Sequence, residues 1–225
     1  MAERPRRPVG EPTRLLLIRH GETAWNAEHR IQGQLDIPLS TRGVWQANRL
    51  AERLAREPID ALYVSDLARA TLTARPLADA LGLEPILEPR LRERSFGVFE
   101  GFTVEQIATR WPEAFVAWRG RDPAWAMDKG ESGQQFIDRV LAALAEAVQA
   151  HGGRSVAVVA HGGTLDVVYR AAQRLAWDAP RKHVMINAAI NRMHARALPL
   201  ELELVAWGDV AHLADDGAAR DDSHA

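Results

Sequence analysis

The 225-residue sequence predicts an α/β fold, a mostly parallel central sheet with helices on both faces in three α/β/α layers. The main observation is that short apolar strand candidates alternate with amphipathic helix candidates along the chain. Such an order implies right-handed crossovers, which join parallel strands. A second observation is that residues 15–18 and 156–159 form unbroken apolar runs, as strands buried on both faces do.

The first predicted elements are a strand at 14–18, a long loop at 21–39 and a helix that Ser40 caps. Apolar side chains recur at helical spacing after Ser40, and Pro58 ends this helix. Because a loop as long as 21–39 is uncommon within a compact domain, we expect it to be functional.

The next strand and helix are predicted at 59–64 and after Asp66, which we expect to cap the helix. Gly82 should end this helix, and Pro76 should kink or break it because proline lacks the N–H of the helical ladder. A short third strand is expected at 85–87.

The middle of the chain interrupts this alternation. Residues 94–131 are rich in aromatic side chains, and we interpret them as an insertion that lies over the active site. The alternative is that these side chains form a satellite core of their own. The residues concerned are Phe96, Phe99, Phe102, Trp111, Phe115, Trp118, Trp125 and Met127.

Regular alternation resumes with a helix that Ser132 caps, a strand at 155–160 and a helix at 165–175. Two late strands are expected at 191–197 and 200–206.

The predicted organisation is one domain at 14–208. We expect a disordered Pro/Arg-rich leader at 1–13 and a flexible tail at 209–225, since neither has the periodicity of a packed element.

Composition and charge narrow the function classes. The 28 basic and 30 acidic residues give a net charge of -2, which argues against a nucleic-acid partner. The sequence contains no cysteine, which excludes disulfides and thiol catalysis. The apolar run at 15–18 is too short for a secretory signal or a membrane span, so we expect a cytoplasmic protein without membrane contact.

The first strand ends on Arg19, His20 and Gly21. These are candidate site residues, because α/β proteins bind ligands at the C-terminal edge of a parallel sheet. Arg19 presents a planar fork of donors for a phosphate or carboxylate, and His20 can act as an acid, base or nucleophile near neutral pH. Gly21 allows a sharp turn and a close approach of the backbone to a ligand.

The strand at 155–160 ends in the same way, on His161 followed by Gly162. Two strand-end histidines at one sheet edge indicate a shared site, so we expect His161 to join His20. The other His-Gly-Gly triplet begins at His151, where the glycines end a helix, and we expect at most a structural role for that histidine.

A longer string of residues extends from the first strand end. It reads Arg19-His20-Gly21-Glu22-Thr23, Trp25-Asn26, Gln32-Gly33, Asp36, Leu39-Ser40, Gly43 and Gln46-Ala47. This string resembles the signature of the histidine phosphatase superfamily, also called the phosphoglycerate mutase-like family. The resemblance implies that His20 is a nucleophile that receives the phosphoryl group, and that Thr23, Asn26 and Gly33 contact the substrate. It points less strongly to Asn187 or Asn191.

Two further strings resemble motifs of the same family. Ser65-Asp66-Leu67-Ala68-Arg69-Ala70 resembles the second phosphate-arginine motif, which implies that Arg69 binds phosphate and makes Arg75 the weaker candidate. Residues 91–101 resemble a segment in which the first glutamate, here Glu93, is the general acid. We therefore choose Glu93 over Glu88 and Glu100, with an ion pair to Arg92 or Arg94 as the alternative role of Glu93.

The resemblance implies a metal-independent phosphomonoesterase of the histidine acid phosphatase type. In this hypothesis His20 attacks phosphorus, Arg19, Arg69 and His161 bind the phosphoryl oxygens with Gly162 beside them, and Glu93 protonates the leaving group. No cofactor or metal is expected, since the histidines lack the spacing of a ligand set. The expected partner is a small-molecule phosphomonoester, and a homodimer is left open.

Two alternatives to hydrolysis stay open. A phosphoglycerate mutase would transfer the phosphoryl group between hydroxyls, and the resemblance implies a longer, more basic insertion after the general acid than this chain has. A non-catalytic phosphate-binding or scaffold protein would be expected to lack His20, Glu93 or His161, and all three are present. The sequence therefore favours a phosphatase, without identifying its substrate.

Overall fold

The computed structural model describes residues 11–216, which form a six-stranded sheet in the spatial order β3-β2-β4-β1-β5-β6. The strands are β1 (Thr13–Arg19), β2 (Ala61–Val64), β3 (Ile86–Leu87), β4 (Ser155–Ala160), β5 (Ile190–Arg196) and β6 (Glu201–Asp209). The seven α-helices within the described range are α1 (Ala24–Ala27), α2 (Thr41–Leu54), α3 (Ala68–Leu81), α4 (Val104–Arg110), α5 (Pro112–Arg119), α6 (Gly133–Ala150) and α7 (Gly162–Gln173).

The arrangement of strands and helices confirms the predicted α/β class. Strands β3, β2, β4 and β1 are parallel, as expected, whereas β5 is antiparallel to both β1 and β6. Only residues 197–200 join β5 to β6, and so short a connection can link only antiparallel neighbours. The sheet is therefore mixed rather than parallel throughout.

Helices cover both faces of the sheet. The side chains of β1 alternate, so that Leu15 and Leu17 pack with residues of α6 and α7, while Leu16 and Ile18 pack with α2 and α3. All four are at most 3% exposed. Since burial of one such side chain contributes about 1.5–3 kcal/mol, the two clusters hold β1 in one register at the centre of the molecule.

Predicted helix caps are confirmed at Ser40 and Ser132, whose side chains accept hydrogen bonds from the N–H groups of Gly43 and Gln135. The prediction for Asp66 is wrong, because the N-cap of α3 is the next residue, which makes no side-chain cap hydrogen bond.

The carboxylate of Asp66 binds an arginine instead of the helix. Its two oxygens accept from Nε and a terminal nitrogen of Arg92 at 2.7 and 2.6 Å. The N–H of Ala68, in the first turn of α3, donates to Oδ1 of Asp36 at 2.6 Å. The helix start is therefore capped from the 21–39 loop, a long-range contact that local sequence does not reveal.

Pro76 lies inside α3 without breaking it, because the helix continues to Leu81. Proline deprives the carbonyl of Leu72 of its helical partner. Leu72 is 44% exposed, so water can reach that side of the helix. Gly82 ends α3 in the left-handed conformation, with φ of 63°, as predicted.

The aromatic residues of 94–131 pack on one another. They form a third cluster, apart from the two that cover the sheet, around the buried side chains of Ile31, Phe99, Ile107 and Trp118. All eight aromatic and methionine residues singled out from the sequence belong to it. The satellite core that the sequence left as an alternative therefore exists, and the position of this segment over the active site stays a prediction.

The described residues extend past the expected ends of the domain, and the boundaries at 14 and 208 stay a prediction. Thr13 already belongs to β1, and residues 1–10 of the expected leader lie outside the described residues. Asp209 ends β6, and a 3-10 helix follows at Ala211–Asp216, with His212 and Leu213 buried. Two side chains of the expected tail are therefore buried, and 217–225 lie outside the described range. Within residues 11–216, no helix is long and apolar enough to span a bilayer.

Candidate active site

The carboxyl ends of β1 and β4 meet at one edge of the sheet. The two strands pair in parallel with Arg19 opposite Ala160, so the residues that follow, His20 and His161, are neighbours. Their ring centroids lie 5.2 Å apart, and both side chains are buried. The structure thus brings together the two histidines that were expected at this edge.

His20 is bonded through one ring nitrogen to its own loop. Its Nδ1 lies 2.7 Å from the carbonyl oxygen of Gly21. A carbonyl only accepts, so Nδ1 bears the proton of the neutral ring, and the lone pair is on Nε2. Burial lowers the pKa of His20 well below its usual range, and the nearby guanidinium groups of Arg69 and Arg19 lower it further. The ring is therefore neutral near pH 7, the form required of a nucleophile.

His161 is bonded through both ring nitrogens. Its Nδ1 accepts from Nε of Arg69 at 3.1 Å, and its Nε2 lies 2.7 Å from Oγ of Ser65. A guanidinium group cannot accept, so the neutral ring has its proton on Nε2 and donates it to Ser65. Burial is the main cause that lowers the pKa of His161, followed by the charge of Arg69. The two neighbouring histidines are thus both neutral but hold opposite tautomers.

Arg69 lies in the first turn of α3 and is fixed on three sides. Besides Nε to His161, its terminal nitrogens donate to the carbonyl oxygens of Leu35 at 2.8 Å and Gly33 at 2.7 Å. The side chain is 1% exposed, and burial lowers its pKa to about 10. Three of the five guanidinium N–H groups are used, so two remain for a ligand.

The 21–39 loop, whose carbonyl groups accept from Arg69, adopts a left-handed backbone conformation at Gly33. This residue has φ of 52°, and a Cβ there would collide with the carboxyl group of Glu100. Glycine is required to turn the loop at this point, and the turn presents its carbonyl to Arg69. Gly33 thus positions the arginine through its backbone, and its predicted contact with a substrate stays a prediction.

Arg19 ends β1 and is buried beside the start of α7. One terminal nitrogen donates to the carbonyl oxygen of Met185. A Cβ built on Gly162 would lie 3.6 Å from Nε of Arg19 and 4.0 Å from Oε2 of Glu93. Gly162 therefore lies between Arg19, the candidate phosphate-binding residue, and Glu93, the candidate general acid.

Glu93 is bonded to the N-terminus of α7. Its Oε2 accepts from the N–H of Gly163 and its Oε1 from the N–H of Arg94, both at 2.8 Å. A Cβ on Gly163 would collide with this carboxyl group, so the close approach requires glycine. The ion pair with Arg92 or Arg94 that the sequence left open is not among the contacts of the described residues.

The other two carboxylate candidates have different partners. Glu88 binds Arg90, and Oε1 of Glu100 accepts from the N–H groups of Gln34 and Phe96. Of the three glutamates, Glu93 is the one bonded to the helix that follows His161.

Thr23 and Asn26 form the capping box of α1. The N–H of Thr23 donates to Oδ1 of Asn26 at 3.0 Å, and the N–H of Asn26 donates to Oγ1 of Thr23 at 3.1 Å. Both side chains are buried. They shape the start of the 21–39 loop, and their contact with a substrate stays a prediction.

The remaining candidates from the sequence differ in whether they contact the site residues. Asn187 donates from Nδ2 to the carbonyl oxygen of His20 at 2.9 Å, whereas Asn191 donates to Leu17 within the sheet. Arg75 is exposed on α3. His151 is the C-cap of α6, and its Nε2 lies 3.2 Å from the hydroxyl oxygen of Tyr63. Its structural role stays a prediction.

Sequence reasoning missed two hydroxyl groups at the site. Ser65 bonds to His161, and Thr73 bonds to the backbone of Gly21. Ser65 belongs to the same motif as Arg69, and Thr73 lies one helical turn after Arg69. The motif was therefore the sequence signal that could have indicated these two hydroxyl groups. It could not indicate which residues these hydroxyls meet, because both partners come from distant parts of the chain.

A family model described as the histidine phosphatase superfamily, branch 1, matches residues 15–208. The chain therefore belongs to the histidine phosphatase superfamily, as its motifs predicted.

Named relatives include phosphatases and a mutase-like protein. A metal-independent phosphoserine phosphatase of Arabidopsis thaliana is 37% identical over 211 residues, 92% of this chain and 86% of the relative. Phosphoglycerate mutase-like protein 4 of Arabidopsis thaliana is 36% identical over 206 residues, 90% of this chain and 88% of the relative. The solved structure of a mycobacterial glucosyl-3-phosphoglycerate phosphatase with VO3 is 33% identical, with a TM-score of 0.77, and covers 87% of this chain and 99% of its own.

Proposed function

We propose that this chain is a phosphomonoester hydrolase of the histidine acid phosphatase type that acts through a phosphohistidine on His20, without a metal ion. The observation that carries the proposal is the state of His20, a buried neutral ring with its proton on Nδ1 and its lone pair on Nε2. Arg69 and Arg19 lie close enough to lower the pKa of that ring. A neutral nucleophile beside two cations is suited to attack on a phosphate dianion.

The phosphoryl group is proposed to bind against Arg19, Arg69 and the start of α7 at Gly162, with Thr23, Asn26 and Gly33 lining the loop side. A unit charge about 4 Å from a guanidinium group gains on the order of 4 kcal/mol at an effective dielectric constant near 20. His161 contributes by fixing Nε of Arg69. Direct contact of its ring with a phosphoryl oxygen, as expected from the sequence, requires the Nε2–H to leave Ser65.

The proposed reaction has two steps. Nε2 of His20 forms a bond to phosphorus while the ester P–O bond breaks, and the protonated carboxyl of Glu93 gives its proton to the departing alkoxide. Water then attacks the phosphohistidine, Glu93 takes a proton from it, and the N–P bond breaks to release inorganic phosphate. The support for Glu93 is that its carboxylate is bonded to the helix start that adjoins His161.

The relatives support phosphatase activity, since two of them are named phosphatases, one for phosphoserine and one for glucosyl-3-phosphoglycerate. The substrate is therefore proposed to be a small-molecule phosphomonoester. A cytoplasmic location and the absence of nucleic-acid and membrane partners remain part of this proposal, and a homodimer stays open.

A phosphoglycerate mutase is the second candidate, and the mutase-like relative favours it. In that case the phosphohistidine persists until a second hydroxyl group takes the phosphoryl group. A scaffold protein on the same fold would form no phosphohistidine at all.

The test is to trap the intermediate. The protein is incubated with a 32P-labelled phosphomonoester, quenched in alkali, where phosphohistidine survives, and compared with His20→Asn and His151→Asn. Label on the wild type and His151→Asn but not on His20→Asn is the expected result, with and without a chelator. Label on His20→Asn, or none on the wild type, would overturn the proposal. Two assays then distinguish the candidate activities. A phosphatase releases inorganic phosphate from the ester, whereas a mutase isomerises 3-phosphoglycerate.

A further inference from the structure

The peptide bond that joins His20 to Gly21 is bonded on both sides by side chains from other elements. Its carbonyl oxygen accepts from Nδ2 of Asn187 at 2.9 Å and from the N–H of Ala188 at 3.3 Å. Its N–H, which belongs to Gly21, donates to Oγ1 of Thr73 at 2.8 Å. The backbone immediately after the proposed nucleophile is thereby held in one orientation.

The hydroxyl of Thr73 makes a second bond that fixes its own proton. Because the N–H of Gly21 is a donor, Oγ1 accepts there and directs its hydrogen to the carbonyl oxygen of Arg69 at 2.7 Å. Thr73 is fully buried, so water does not compete for either bond. One hydroxyl group therefore connects the His20 loop to the helix that bears Arg69.

The loop needs such a connection because glycine permits many backbone orientations. Glycine is required at position 21, where a Cβ would lie 2.6 Å from the carbonyl oxygen of Gly43. The carbonyl of Gly21 also accepts from Nδ1 of His20 and so determines the tautomer of the ring. A rotation at Gly21 would move this acceptor away and release the ring.

We propose that Thr73 is a positioning residue that keeps His20 in its nucleophilic tautomer and at a fixed position relative to Arg69. This inference rests on the proposed function, in which Nε2 of His20 attacks phosphorus. Thr73 touches neither substrate nor the reacting atoms, and it acts through Gly21.

Thr73→Val removes the hydroxyl and keeps the shape of the side chain. We expect kcat for p-nitrophenyl phosphate and the single-turnover rate of phosphohistidine formation to fall at least about 10-fold, with KM changed by less than about threefold. Thr73→Ser should restore both rates to within about threefold of the wild type. Thr71→Val is the matched control, because the Thr71 hydroxyl donates to the carbonyl oxygen of Ala68 within the same helix, and it should leave both rates unchanged.

A spectroscopic measurement separates this inference from the proposed function. The ring nitrogens of His20, followed by 15N NMR, should report proton on Nδ1 in the wild type and Thr73→Ser, and mixed tautomers in Thr73→Val. Wild-type rates and a wild-type tautomer in folded Thr73→Val, or equal losses in the Val and Ser variants, would overturn the role of Thr73. If the wild type forms no phosphohistidine, the proposed function fails while the tautomer comparison still decides the positioning role. Thr73→Ala, which also lacks the hydroxyl, replaces Thr73→Val if the latter does not fold.

Discussion

His20 and His161 occupy equivalent places and have different surroundings. Each follows a buried parallel strand, precedes a glycine, and has a pKa lowered by burial and by Arg69. Nδ1 of His20 bonds to its own loop, and in the described part of the chain no hydrogen-bond partner lies at its Nε2. Both nitrogens of His161 bond to side chains, one from Arg69 and one from Ser65.

The difference follows from the order of the strands. β4 lies next to β2, and the residues that follow β2 include Ser65 and Arg69, which reach the His161 ring. β1 is separated from β2 by β4, so the charge of Arg69 acts on the His20 ring electrostatically, whereas its hydrogen bond goes to His161. A shared local pattern thus produces a nucleophile candidate at one strand end and a residue that orients an arginine at the other.

The largest effect is expected when His20 is replaced. His20→Asn removes the nitrogen that accepts the phosphoryl group, so kcat for phosphomonoester hydrolysis should fall at least about 10⁴-fold. Steady-state phosphate release gives kcat, and circular dichroism confirms that the variant is folded. Turnover near that of the wild type would contradict a covalent role for this histidine.

Arg69 is the group that both histidines share, and its loss comes next. Arg69→Met removes a charge worth on the order of 4 kcal/mol to a bound phosphate, so kcat/KM should fall about 10³-fold. Arg75→Met is the control, since Arg75 is exposed on the same helix, and its kinetics should match those of the wild type. A loss of less than tenfold in Arg69→Met would mean that the phosphate binds elsewhere.

Replacing His161 should cost less than replacing His20. His161→Asn removes one acceptor from Arg69, which keeps its bonds to Gly33 and Leu35. A hydrogen bond to a charged group contributes about 1.5–3 kcal/mol, so kcat/KM should fall about 10- to 100-fold. Measured beside His20→Asn, equal losses in the two variants would remove the distinction between the two histidines.

The last prediction concerns a different quantity, the free energy of unfolding and its response to pH. Both histidines have lowered pKa values in the fold, so below pH 6.5 the unfolded chain takes up protons that the native state does not. The free energy of unfolding should therefore fall from pH 6.5 to pH 5, by up to about 1.4 kcal/mol per pH unit for each such histidine. Urea unfolding at several pH values measures it.

The same series in His20→Asn and His161→Asn provides the control for the pH response. Each variant lacks one of the two buried rings, so its stability should depend less steeply on pH than that of the wild type. An unchanged slope in both variants would show that other groups cause the acid sensitivity.

The positions of the strand ends could be predicted from the sequence because they are local. An apolar run that stops on Arg19 and His20 marks a sheet edge, and the family motif points to Arg69, which the structure places against His161. The contacts of these residues could not be predicted in the same way. Asn187 reaches His20 across 167 positions and Ser65 reaches His161 across 96, and such pairs follow from strand order rather than from neighbouring residues.

The errors in the predicted elements have the same origin. Aspartate is a common helix cap, but the carboxylate of Asp66 accepts two charge-assisted hydrogen bonds from Arg92 instead. The start of α3 is capped by Asp36, which accepts from the N–H of Ala68. The two late strands were predicted, but the antiparallel direction of β5 was not, because the alternation of strands and helices along the chain implies parallel neighbours. Aromatic composition indicated a cluster at 94–131 and carried no information on where that cluster sits relative to the site.

The bonds from Arg69 to Gly33 and Leu35 have a consequence for the mobility of the 21–39 loop. Together with the bond from the N–H of Ala68 to Asp36, they attach the far part of this loop to the start of α3. Residues 33–36 cannot move away from α3 without breaking these three hydrogen bonds and releasing the guanidinium group. We therefore expect this part of the loop to keep its position when a ligand binds to Arg69.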